Sequence, residues 1–155
     1  MTQEVAELIK KVGTGGYKDG SSITPGFLYH PIPFKEYHQT PVHKLNCLEE
    51  YRTLIENYDF KDKTVVDIGS SGGWFSFNIS KVAKEVHAYE ADNSVRAVTE
   101  QIRKDKGIDN LTFHADFTKD TQINADCCIM LNVHMWLVKQ YGLNEVYAIL
   151  PDSSC

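Results

Sequence analysis

The residues with the clearest chemical potential form the run VVDIGSSGGWFSF, Val65 to Phe77. An apolar, β-branched stretch ends in an acid, Asp67, and Gly69, Ser70, Ser71 and Gly73 then lead into a helical pattern that starts at Trp74. Small residues at such a strand-to-helix turn let the backbone approach a ligand and present amide donors from the helix N-terminus, which suits a nucleotide-type ligand. Glu90 closes a second apolar run, VHAYEAD, 21 residues beyond Gly69. An acid about 20 residues after a glycine turn offers two acceptor oxygens to a ribose diol. Its neighbour Asp92 reads instead as the cap of the next helix. A dinucleotide fingerprint GxGxxG started at Gly69 meets Ser71 at its second glycine and Trp74 at its last small position, where an indole would crowd a pyrophosphate. Nicotinamide chemistry is therefore disfavoured.

The elements that must position these residues follow from periodicity. Short β-branched runs at Thr64 to Ile68, Val86 to Tyr89, Leu111 to Ala115 and Cys127 to Leu131 predict four strands. Between them, Phe75, Phe77, Ile79 and Val82 predict one helix, and Val95, Val98 and Ile102 predict a second, capped from Asp92 or Asn93. Only a short turn or partial helix fits between Phe117 and Asn124, and Trp136 to Leu150 reads as one further helix. Strands alternating with helices predict an α/β fold with a doubly wound, mainly parallel sheet, and ligands bind at the carboxyl ends of strands in such sheets. Ahead of this core, Val5, Leu8, Ile9 and Val12 mark an amphipathic helix with Thr2 as its cap, and Leu48, Tyr51, Leu54, Ile55 and Tyr58 mark another that opens at Asn46. The glycine-rich stretch GTGGYKDGSSITPG lacks the GK[ST] ending of a phosphate loop and reads as a linker. FLYHPIPFKEYHQTPV holds Tyr29, Phe34 and Tyr37 among three prolines, which forbid a regular helix or central strand. That segment is expected to lay its rings over the main unit as a cover or line a pocket, with Tyr29, Tyr37 and His38 as weaker substrate contacts. The chain thus divides into an N-terminal part, 1–58, and a core, 59–155, within one compact unit.

The Asp67 to Gly73 turn resembles the first motif of the class I S-adenosylmethionine-dependent methyltransferases, departing from it at Ser71, where that family more often has glycine. Further features fall in the same order at successive strand ends. The resemblance implies that Asp67, Gly69, Ser70, Ser71, Gly73 and Trp74 line the cofactor turn and that Glu90 takes the ribose. It implies that Asp116 accepts from the adenine amino group while Phe117 packs on the ring, and that the Leu131-Asn132-Val133-His134 segment lines the methionine end. Asn132 would orient the cofactor. His134 is the candidate general base, because neutral imidazole accepts a proton near physiological pH; it equally suits packing or capping the helix that follows. The implied cofactor is S-adenosyl-L-methionine and the implied activity is methyl transfer.

Composition bounds the partners. The chain has 155 residues, 42% of them hydrophobic, enough for one ordinary domain and too apolar for disorder. With 16 Lys and Arg against 21 Asp and Glu the net charge is −5, which disfavours nucleic acid and leaves a small-molecule acceptor as the expectation. No stretch suits a signal peptide or a membrane span, so a cytoplasmic protein is expected. Cys47, Cys127, Cys128 and Cys155 form no CxxC, and the spacing of His30, His38 and His43 matches no common zinc pattern, so neither a metal nor a disulfide framework is expected. After Gly69 only 86 residues remain. With ~30 residues per βαβ unit the sheet stops short of the family's full complement of strands. The expectation is a cofactor-binding half, truncated or naturally minimal, with a homodimer or partner chain covering its open edge. The alternative to an enzyme is a non-catalytic or partner-dependent cofactor-binding module.

Overall fold

A computed structural model describes residues 1–12, 28–37, 47–115, 117–121, 124–131 and 133–149. Four strands, β1 (Thr64–Ile68), β2 (Glu85–Tyr89), β3 (Leu111–His114) and β4 (Cys127–Ile129), form one sheet in the order β3-β2-β1-β4. Every pairing is parallel, and β1 lies between β2 and β4 with Asp67 opposite Ala88 on one side and Ile129 on the other. The sequence pattern places all four strands to within two residues, because β-branched runs of four or five residues have few other stable uses.

Alternation along β1 sorts the core into two faces. Val65 joins the larger cluster, with Phe75, Phe77 and Ile79 of α3 (Trp74–Ile79) and Val95, Val98 and Ile102 of α4 (Asn93–Asp105). Val66 and Ile68 join the smaller one, with Phe117, with Leu137 of α5 (His134–Tyr141) and with Val146 of α6 (Leu143–Ile149). Asp92 caps α4 as expected, its Oδ1 accepting from the Ser94 and Val95 amides. Phe75 and Phe77 are fully buried, each stabilising the fold by about 2–3 kcal/mol through lost apolar exposure.

The N-terminal part shares that core. Helix α1 (Gln3–Lys10) is capped by Thr2, packs against α4 and buries Val5. Helix α2 (Cys47–Asn57) packs against α3. The segment 28–37 lies over the sheet unit as a cover: Leu28, Ile32 and Tyr37 are buried in the larger cluster, and the Phe34 ring meets Phe77 edge-on at 5.2 Å. The glycine-rich stretch ahead of it lies outside the described residues.

Three expectations need correction. The stretch from Trp136 is two helices, because Gly142 adopts φ +86° and ψ 156° and interrupts the helical backbone between α5 and α6. Trp136 is exposed, with Lys139 Nζ 5.3 Å from its ring centre. Likewise α3 ends at Ile79, so Val82 falls out of helical register and is half exposed. Cys47 and Cys128 carry thiols, whereas Cys127 is disulfide-bonded, a covalent link that cysteine spacing did not suggest. No described helix is long and apolar enough to cross a membrane.

Candidate functional site

The glycine turn sits at the carboxyl end of β1. Gly69 and Ser70 donate their amides to the Tyr89 carbonyl at 2.8 and 3.0 Å, tying the turn to the end of β2. Gly69 has φ +78°, and a Cβ there would lie 2.3 Å from Val133 Cγ1, so the loop leaving β4 presses directly on this glycine. Ser71 also holds a left-handed backbone, φ +48°. That conformation costs a non-glycine residue about 1 kcal/mol or more.

Glu90 is the charged centre of the site. Its Oε2 accepts the Ser71 amide and its Oε1 the Asp92 amide, both at 2.8 Å. The Arg96 guanidinium donates to the Glu90 carbonyl at 2.6 Å. Burial pushes the Glu90 carboxyl up to about 7, against the pull of the Asp92 and Ser71 amides and of Arg96. Each carboxylate oxygen has two lone pairs, so each can still accept one more donor. In the glycine turn and at the start of α3, Ser70 Oγ and Trp74 Nε1 are buried without a hydrogen-bond partner among the described residues, and so is Asp92 Oδ2. Buried polar atoms left unsatisfied cost about 1–3 kcal/mol each, so a polar ligand that met them would relieve that cost.

Asp67 has a partner within the fold itself. It is buried, its Oδ2 accepts from Ser76 Oγ of α3 at 2.5 Å, and burial pushes its carboxyl up to about 6. Its observed contact therefore joins β1 to α3. The cover segment also reaches the turn: the His30 amide donates to Ser71 Oγ at 3.1 Å, and a Cβ on Gly72 would lie 2.4 Å from the His30 carbonyl oxygen.

Of the residues singled out in the sequence, the structure thus gathers Gly69, Ser70, Ser71, Gly73, Trp74 and Glu90 at one turn. His134 is the exposed first residue of α5, one residue after the Val133 that touches Gly69. Phe117 is buried in the smaller cluster with its ring edge-on to Tyr89 at 5.4 Å, and Tyr89 in turn stacks on His114 at 4.8 Å. Tyr29 is 40% exposed beside His30. Tyr37, expected as a substrate contact, is buried against Phe34 in the core and is not open to a substrate. His38, Asp116 and Asn132 lie outside the described residues. Sequence reasoning missed the contacts that Ser76, Arg96 and His30 make around the site, which are not visible in any local pattern. A separate cavity of about 260 Å³, lined by Thr64, Lys84 and Asp126 among others, opens at the amino-terminal ends of the strands, the wrong end for a ligand in this architecture.

The sequence matches no family profile and no curated protein. Solved structures do match. A crystal structure of WbdD, elsewhere described as a bifunctional kinase-methyltransferase, superposes with a TM-score of 0.66 at 17% identity, covering 78% of this chain and 30% of that one. Trm5b from Pyrococcus abyssi gives 0.58 at 17% identity over 72% of this chain and 33% of its own. The fold is that of the class I S-adenosylmethionine-dependent methyltransferases. A dimethyladenosine transferase from Plasmodium falciparum gives 0.52 at 19% identity, covering 63% of this chain and 38% of its own. The chain spans about a third of the length of these structures. Within this methyltransferase fold, the glycine turn, Glu90 and the loop after β4 lie at the carboxyl ends of the strands, the end at which open α/β sheets bind ligands.

Proposed function

We propose that this chain binds S-adenosyl-L-methionine and serves a methyl transfer to a small-molecule acceptor. The observation that carries the proposal is Glu90, a buried carboxylate held by the Ser71 and Asp92 amides at the glycine turn with acceptor capacity left on both oxygens. Those oxygens would accept the two ribose hydroxyls. Ser70 Oγ, Trp74 Nε1 and Asp92 Oδ2 are buried polar atoms that such a ligand could satisfy, and Asp116, Phe117 and Asn132 keep the adenine and orienting roles implied by the resemblance. Bound there, the cofactor supplies a methyl group already activated on a sulfonium.

The protein's own contribution is then alignment, plus removal of a proton where the acceptor carries one. His134, exposed and one residue after the Val133 that touches Gly69, would take that proton. The alternative nicotinamide reading suffers from Trp74, whose indole follows the turn directly. The acceptor class rests on the net charge of −5.

Calorimetric titration with S-adenosylmethionine and with NAD tests the cofactor. Tight NAD binding with no heat from S-adenosylmethionine would sink the proposal. In the Glu90→Ala variant cofactor affinity should fall by about tenfold or more, the loss of a charge-assisted pair of hydrogen bonds. Unchanged affinity in that variant would refute the ribose assignment. Tight binding without methyl transfer to any acceptor would favour a non-catalytic module.

A further inference from the structure

Outside the glycine turn, one cluster of side chains is assembled from distant parts of the sequence. His30, Cys47 and Glu50 bring one ligand atom each to within 4.8 Å of one another. His30 belongs to the cover segment, and Cys47 and Glu50 lie on α2, separated by three positions and so on one helix face. His30 and Cys47 are buried, at 2% and 0% exposure, while Glu50 is half-buried.

We infer that His30, Cys47 and Glu50 form a binding site for a zinc-type divalent cation. The donor set is one imidazole nitrogen, one thiol sulfur and one carboxylate oxygen. Magnesium and calcium select oxygen-only shells, whereas a mixed nitrogen, sulfur and oxygen set suits zinc. Three protein ligands leave the fourth tetrahedral position for water, and half-buried Glu50 marks the side from which water and metal enter. Cys47 opens α2, where the positive end of the helix favours an anionic thiolate ligand. Binding releases the thiol proton to solvent, and no redox change is involved.

The site has a structural consequence. His30 is the residue whose amide bonds Ser71 Oγ and whose carbonyl lies against Gly72, and its ring meets Phe75 of α3 edge-on at 5.5 Å. A metal that fixes the His30 ring to α2 therefore pins the cover segment onto the glycine turn. The inference concerns this chain's own ligands and does not depend on the methyltransferase reading, so the two can fail separately.

Cobalt(II) is the probe. The full chain, stripped of metal by a chelator, should bind a single equivalent of cobalt with a thiolate-to-cobalt charge-transfer band and strong tetrahedral visible absorption, and zinc should displace it. X-ray absorption of the zinc-loaded wild-type chain should show one sulfur and otherwise nitrogen or oxygen, a readout that needs no variant. Cys47→Ser should abolish the charge-transfer band, Cys128→Ser should leave it, and Glu50→Gln should weaken cobalt binding by more than the roughly 10–100-fold typical of outer-sphere changes. No stoichiometric binding, a shell with no sulfur or with two, or a band that survives Cys47→Ser would overturn the assignment.

Discussion

Burying Glu90 should make the fold less stable as the pH rises, and the size of the effect follows from its environment. The folded carboxyl titrates at about 7 against a reference of 4.5, because burial disfavours the anion more than the Asp92 and Ser71 amides stabilise it. At ~1.4 kcal/mol per pKa unit the difference is worth about 3 kcal/mol. The folded state holds the proton more tightly than the unfolded chain, so stability is fully present below the unfolded pKa and is lost as pH rises through about 7. Between about pH 5 and about pH 8 the loss attributable to Glu90 is roughly 2–3 kcal/mol. Asp67 acts with the same sign, its carboxyl moving from 3.8 to about 6, but most of its effect is complete by the middle of that window. His114, whose pKa is lowered mainly by burial, acts in the opposite sense.

Comparison of wild type with Glu90→Gln cancels both. The amide cannot ionise, and its NH₂ faces one of the two backbone donors, which adds a roughly constant cost of about 1–3 kcal/mol. Urea unfolding across that pH range should therefore show a wild-type stability that falls more steeply than the variant's, with the gap between them changing by about 2–3 kcal/mol. A gap that stays constant to within about 1 kcal/mol over the range would refute the claim that Glu90 is buried as a strained anion.

Other outcomes are equally specific. Gly72→Ala places a Cβ 2.4 Å from the His30 carbonyl, a backbone atom that cannot swing away, so it should destabilise by about 1–3 kcal/mol in urea unfolding. Gly107→Ala meets nothing within 4 Å but must hold φ +62°, and should cost only about 1–2 kcal/mol. Ser76→Ala removes the hydroxyl that donates to buried Asp67, which should lower stability at neutral pH by about 1–3 kcal/mol, with partial recovery near about pH 5, where the acid is protonated. The Cys128 thiol, pushed up to about 12 by burial and by Asp67, should resist alkylation in the native state. Peptide mapping after brief reagent exposure checks this. His134→Ala should leave cofactor affinity unchanged in calorimetry and slow methyl transfer; a loss of affinity would move His134 into the binding role instead.

Local patterns in the sequence determined the sheet and most of its flanking helices. The two caps, Asp92 on α4 and Thr2 on α1, rest on interactions within a few residues, and each strand is marked by a short local run, although its pairing joins residues 21 to 62 positions apart. The glycine turn and Glu90 were legible for the same reason: the turn is one contiguous run, and the spacing to Glu90 is the length of one strand-helix-strand unit. What only the tertiary structure decided involves partners far apart in the chain. The pairing of Asp67 with Ser76 depends on how α3 packs back on β1, and the burial of Tyr37 depends on where the cover segment comes to rest. The seat of His30 on Ser71 and Gly72 joins residues some 40 positions apart, and its meeting with Cys47 and Glu50 draws on two segments that no local period links. A single sequence records which side chains are available; packing of the cover segment and α2 against the sheet unit decides which of them meet, because that choice is made by burial of apolar surface over the whole core.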